Sequence, residues 1–320
     1  MKLLTIPFID EIVAIRRDLH AHPELAFKET RTSDIVAQTL TSLGLEVHRG
    51  LAGTGVVGTL RKGKGGKAIG LRADMDALPV LEKNGFAHCS THHGRMHACG
   101  HDGHTSMLLG AARYLAENID TLDFEGAVHF IFQPAEESEG GAHVMMEDGL
   151  FRQFSMDAVF GLHNWPGIPV GEMAVVPGPV MAGTCSFEIS VRGKGCHAAM
   201  PHQGADTLVA VSHLVLALQT VVSRNVDPCE AAVVSVTQIH GGNSWNVIPE
   251  KVYLEGTVRA FQKEDREKIP ELMRRAAEGI ASGFGAVADF RWHPYVSIVD
   301  NDVRFKAILA ETAEEQGYRF

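Results

Sequence analysis

Apolar side chains recur at Phe8, Ile12, Ile15 and Leu19, the three-to-four spacing of an amphipathic helix, so residues 7–20 are predicted helical. A second helix is predicted over 30–43, closed by Gly44. Short strand-like runs follow, LEVHR, GVVGTL and AIGLRAD. A helix is expected after His101, through SMLLGAARYLAEN. Then come a strand, AVHFIFQ, a segment rich in Glu, Gly and Met, and a further strand, DAVFGLH. Alternating strands and helices predict an α/β layer architecture. From about Gly183 the order becomes strand (TCSFEISVRG), helix (DTLVAVSHLVLALQTVV), two strands (AAVVSVTQIHG, KVYLEGTVRAF), helix (KEDREKIPELMRRAAEGIASGF) and strand (AVADFRW). That is the split βαβ order of a ferredoxin-like α+β sandwich. The expected division is a first domain over 1–182, a second inserted at 183–296, and a return to the first over 297–320.

Composition narrows the function classes. Hydrophobic residues make up 45% of the 320 and charged residues 21%, which suits a folded globular chain with a real core. The net charge of −10 leaves no surplus of Lys and Arg to neutralise phosphates, which argues against nucleic acid or an anionic membrane as partner. The most apolar stretch, Leu208 to Val222, is interrupted by Ser212, His213 and Gln219 and reads as too short to span a bilayer. The opening MKLLTIPFIDEIV reads as a helix start, because Asp10 and Glu11 follow at once and no small-residue cleavage site is visible. Five scattered Cys argue against a disulfide framework and for a cytoplasmic location.

Four motifs could carry chemistry. MHACGHDGH, residues 96–104, concentrates thiolate and imidazole, good ligands for a zinc-like divalent ion. FQPAEE places Glu136 and Glu137 just beyond a predicted strand, where one could bind a metal and the other face substrate. GLHNWP puts His163 at the end of another strand. LRADMDALP ends a strand with Asp74 and Asp76, and Asp76 could orient a ligating His. Each has an ordinary structural explanation alone: a polar loop, an acidic turn, a satisfied His, an Asx turn. Together they put Asp, Cys/His, Glu/Glu and His at the ends of four successive predicted strands, an edge where α/β sheets gather ligands. GTGVVG, residues 53–58, matches a dinucleotide fingerprint, but a strand follows where a helix is required, so a hairpin or bend is expected.

With RRDLHAHPELAFKET and GKGCHAAMPH added, these motifs closely resemble the amidohydrolase branch of the M20 metallopeptidase family, across essentially the whole chain. The resemblance implies a metal-dependent catalytic α/β domain with an inserted ferredoxin-like lid, which in relatives often dimerises. It implies two divalent ions (Zn, Mn, Co or Ni) on Cys99, His101, Glu137 and His163, with Glu136 as general base and Asp76 orienting the site. It implies that His197 contacts the reacting carbonyl, that Asn246 and Arg259 hold the substrate, and that the substrate is a small N-acyl amino acid. The family's last metal ligand is a His in a C-terminal catalytic segment, and no His here sits in that context. The expectation is therefore of a chain lacking the end of its catalytic domain, with a non-catalytic binding or dimerising relative as the alternative.

Overall fold

The computed structural model describes residues 6–137 and 139–319. Contacts divide the chain into two compact units, 1–170 and 171–320. The expected boundary at 182/183 thus falls inside the second unit, and residues 297–319 group with that unit.

The first unit opens with α1 (Ile9–Ala21) and α2 (Thr30–Ser42); the part of the helix-start reading that falls on residues 1–5 lies outside the described residues. Strands β1 (Glu46–Leu51), β2 (Gly55–Lys62) and β3 (Ala68–Asp74) follow, then α3 (His101–Glu117) and β4 (Gly126–Gln133). Helices α4 (Gly141–Glu147) and α5 (Leu150–Gln153) lead to β5 (Ala158–Gly161). The sheet order is β1-β2-β4-β3-β5. β1 and β2 form an antiparallel hairpin, which disposes of the dinucleotide motif, and β2 pairs antiparallel with β4. β4, β3 and β5 run parallel.

β4 is buried along its whole length, which is why it reads as a continuous apolar run. Its alternation divides the core. Phe130 and Phe132 pack with Leu40 and Leu109 on the face covered by α2 and α3. Ile131 packs with Met145 and Leu150 on the opposite face, under α4 and α5. Gly58 permits the close approach of α2, since a Cβ there would lie 2.9 Å from Leu40 Cδ1.

The second unit contains β6 (Gly178–Met181), β7 (Gly183–Arg192), β8 (Cys196–His197), α6 (Thr207–Asn225), β9 (Ala232–Gly241), β10 (Val247–Ile248), β11 (Lys251–Ala260), α7 (Lys263–Gly283), β12 (Val287–Val296), β13 (Val299–Asn301) and α8 (Phe305–Glu315). Its main sheet has the order β12-β7-β11-β9, every neighbouring pair antiparallel. This is the ferredoxin-like arrangement expected from the element order. The core joins Phe187, Ile189, Leu254 and Val258 of the sheet to Leu214 and Leu218 of α6 and Met273 of α7.

One expectation is corrected. α6 is a 19-residue helix with mean hydropathy 1.4, long and apolar enough to cross a membrane. Asp206 caps its start and the helix runs past Val222 to Asn225, so the apolar stretch alone understated its length. Its Ala210, Val211, Leu214, Leu218 and Val221 are buried in the core of the second unit, while Leu208, Val209 and Leu216 are exposed.

Candidate active site

The parallel trio β4-β3-β5 delivers three chain ends to one edge of the sheet. β3 stops at Asp74, and Asp76 stands two residues on. β4 stops at Gln133, and Pro134 and Ala135 turn the chain into Glu136 and Glu137. β5 stops at Gly161, two residues before His163. Cys99 and His101 arrive differently, which corrects the expectation of four strand ends. No strand runs between Asp74 and His101; Pro79, Gly85 and Gly94 interrupt that segment, and His101 is the first residue of α3. Gly100 makes the turn between the two donors with φ +90, and a Cβ there would lie 2.3 Å from Asn164 Oδ1. Only glycine fits both demands.

The donor atoms converge. Cys99 Sγ lies 3.4 Å from His163 Nε2. His101 Nε2 is 3.9 Å from Glu137 Oε1 and 4.0 Å from Glu136 Oε2. Donor atoms of Cys99, His101 and Glu137 all lie within 4.8 Å of one another. His101 Nδ1 faces Asp76 Oδ1 at 3.2 Å, and His163 Nδ1 faces the Asn164 carbonyl at 2.6 Å. Each ring therefore spends Nδ1 on an acceptor and presents Nε2 to the cluster, the arrangement typical of a metal-binding imidazole. Two atoms are conspicuous. His101 Nε2 and Glu137 Oε1 are buried without a hydrogen-bond partner, a costly state for a polar atom unless something else binds it. Sulfur, imidazole and carboxylate donors around two such atoms fit a divalent cation.

Electrostatics point the same way. Burial opposes charge on His101, but its hydrogen bond to Asp76, the Cys99 contact and the charge of Asp74 outweigh it and raise its pKa to about 11. Burial likewise opposes ionisation of Asp76, and the His101 ring and the Glu137 and Glu136 N–H groups overcome it and hold its pKa down. Glu136 moves the other way: burial and the neighbouring Glu137 raise its pKa. Four carboxylates around one imidazole form a site that demands positive charge.

A second relay lies beneath the first. Asp74, fully buried, takes His104 Nδ1 at 2.6 Å and Arg72 Nη1 at 2.7 Å. His104 Nε2 meets Asn164 at Oδ1 (2.6 Å) and at the backbone nitrogen (3.1 Å). Donor atoms of Asp74, His101, His104 and His163 also lie within 4.8 Å of one another. Both His104 nitrogens already have partners, so this group reads as a brace that ties α3 to the loop carrying His163. Sequence reasoning assigned His104 and Asn164 no role. The signal available was the three-residue spacing of His101 and His104, which puts them on one helix face.

Residues 70–319 match Peptidase family M20/M25/M40. The chain belongs to this family. It is 44% identical over 313 residues to the N-acetylcysteine deacetylase of Bacillus subtilis (strain 168), covering 98% of this chain and 81% of that one. It is 45% identical over 271 residues to the hippurate hydrolase of Campylobacter jejuni, covering 85% and 70%. Among solved structures, a dinuclear metal binding peptidase from the M20 family of Bacillus subtilis superposes with a TM-score of 0.84 at 40% identity, covering 98% of this chain and 81% of that chain. The α/β catalytic domain with a ferredoxin-like second domain is thus the M20 architecture.

The remaining expected residues of this M20 chain belong to the second unit. His197 on β8 pairs with Val247 on β10, and Ala198 donates its N–H to the Asn246 carbonyl at 3.0 Å, so His197 and Asn246 lie side by side. His197 Nδ1 accepts the Ala199 N–H. Arg259, on β11, donates to Thr257 Oγ1 and to the Val258 carbonyl.

Proposed function

We propose that this protein is a metal-dependent amidohydrolase that cleaves the amide bond of N-acyl amino acids. The observation that carries the reading is the pair of buried, unpartnered atoms, His101 Nε2 and Glu137 Oε1, within reach of Cys99 and beside Glu136. Relatives named for removing acetyl and benzoyl-type groups from amino acids support the substrate class.

In this reading Cys99, His101, Glu137 and His163 hold two divalent cations of the Zn, Mn, Co or Ni type. Bound metal would supply Lewis acidity and a water acidified toward neutral pH. Glu136 accepts the proton of the attacking water and returns it to the leaving amine. Asp76 keeps the His101 ring aligned. His197 stabilises the developing oxyanion, while Asn246 and Arg259 hold the substrate, Arg259 by its carboxylate. The first unit carries the metal chemistry, and residues 183–296 form a lid that also pairs two copies. The setting is cytoplasmic.

Glu136→Gln tests the centre of this reading. Metal content should be unchanged while turnover of hippurate or an N-acetyl amino acid falls on the order of 10²–10⁴-fold. Undiminished turnover removes Glu136 as the base.

A further inference from the structure

The motif RRDLHAHPELAFKET contains, as its last residue but one, a side chain with no place in the reaction as described so far: Glu29. Glu29 is fully buried, and all three of its recorded partners are donors. Its Oε1 accepts the N–H of Ala135 at 2.9 Å and the N–H of Phe27 at 3.1 Å, and its Oε2 accepts the Thr54 hydroxyl at 2.7 Å. The three partners lie on three segments: the loop before α2, the β1–β2 turn and the turn after β4.

Backbone conformation makes this pattern pointed. Among the described residues, the non-glycine residues with positive φ are Phe27 (57°), Ala52 (50°) and Ala135 (51°). Two of the three give their N–H to the same Glu29 oxygen. An L-residue in the left-handed region is disfavoured unless its surroundings hold it there. At Ala135 the left-handed step swings the chain off β4 immediately before Glu136 and Glu137. The same turn is fastened again at Glu137, whose N–H goes to Asp76 Oδ2 at 2.9 Å. The Glu pair is thus gripped from both sides, by Glu29 before it and by Asp76 within it.

We propose that Glu29 is a positioning residue: its carboxylate holds Ala135 in the left-handed conformation and so sets where Glu136 stands. This rests on Glu136 being the base. The role is one of reach and acceptor geometry. A Gln at position 29 can keep an amide oxygen on Ala135 and Phe27 and turn its NH2 to the Thr54 oxygen. An Asp keeps the charge but falls short by one methylene.

The experiment compares Glu29→Gln, Glu29→Asp and Glu29→Asp/Ala135→Gly on the metal-loaded protein, with hippurate or an N-acetyl amino acid as substrate. Glu29→Gln should stay within about threefold of the starting kcat, whereas Glu29→Asp should lose on the order of 10- to 100-fold in kcat with KM nearly unchanged. Adding Ala135→Gly should recover part of that loss, because glycine adopts positive φ without strain. Amide hydrogen exchange at Ala135, Glu136 and Glu137 supplies a readout independent of turnover, and it should quicken in Glu29→Asp and not in Glu29→Gln. Loss in Glu29→Gln with retention in Glu29→Asp overturns the proposal in favour of charge. Unchanged exchange in Glu29→Asp overturns it as well, even in a fully active enzyme. Failure of Glu136→Gln to reduce turnover strikes the proposed base instead, and leaves the exchange result to judge the hold on Ala135.

Discussion

Asp76 serves two partners that cannot both accept a substitute. One oxygen faces His101 Nδ1 at 3.2 Å and the other takes the Glu137 N–H at 2.9 Å. In Asp76→Asn the new NH2 must confront one of these donors, so either the ring or the carboxylate turn is displaced. Metal affinity, measured by chelator competition, should fall about 10- to 100-fold. Glu136→Gln should leave that affinity alone, so the two variants separate holding the metal from moving the proton. At this scale the sequence was informative where donors were of unusual type. Cys99, His101, the Glu pair and His163 stood out only together, since each alone has an ordinary use and it is their combination that points to a metal. Glu29 did not stand out, since a lone Glu before a helix is usually a surface residue and only the fold reveals three donors around it.

The elements themselves were legible in proportion to their length. The strand ending at Gln133 follows from its continuous apolar run and the long helices α3, α6 and α7 from their length and apolar positions. The pairs β6–β13 and β8–β10 are two to four residues long and carry no periodic signal; tertiary pairing alone makes them. The β1–β2 hairpin was legible, because the glycines of GTGVVG stand between two strand-like runs. Gly256 shows what such pairing costs in side-chain freedom. It sits at a register shift between β11 and β9, and a Cβ would meet Ser235 O at 2.1 Å and Phe187 Cζ at 2.3 Å. One contact is backbone and the other a fully buried ring, so neither can yield cheaply. Gly256→Ala should destabilise the second unit by roughly 1–3 kcal/mol or more in chemical denaturation, with metal content unchanged.

The whole molecule contains two units with separate hydrophobic cores, one around Phe130 and Phe132, the other around Phe187 and Leu254. All four expected metal ligands belong to the first. Linkage then predicts an unequal response to metal. A ligand that binds only the folded state stabilises by about 2.7 kcal/mol at 100 times its Kd, which for a unit of this size moves Tm by roughly 5–10 °C. That gain should appear in the first unit and leave the second where it was. The three tryptophans allow the test. Trp165 lies in the first unit, while Trp245 and Trp292 lie in the second, where Trp292 packs against the core. With Trp165→Phe and Trp245→Phe, fluorescence reports Trp292 alone, while far-ultraviolet circular dichroism reports both units. Chelation should lower the dichroism transition of the first unit and leave the Trp292 transition in place. An equal fall in both would mean that the two cores melt as one cooperative body. No fall in either would mean that no metal stabilises Cys99, His101, Glu137 and His163, and would remove the basis for a metal-dependent hydrolase.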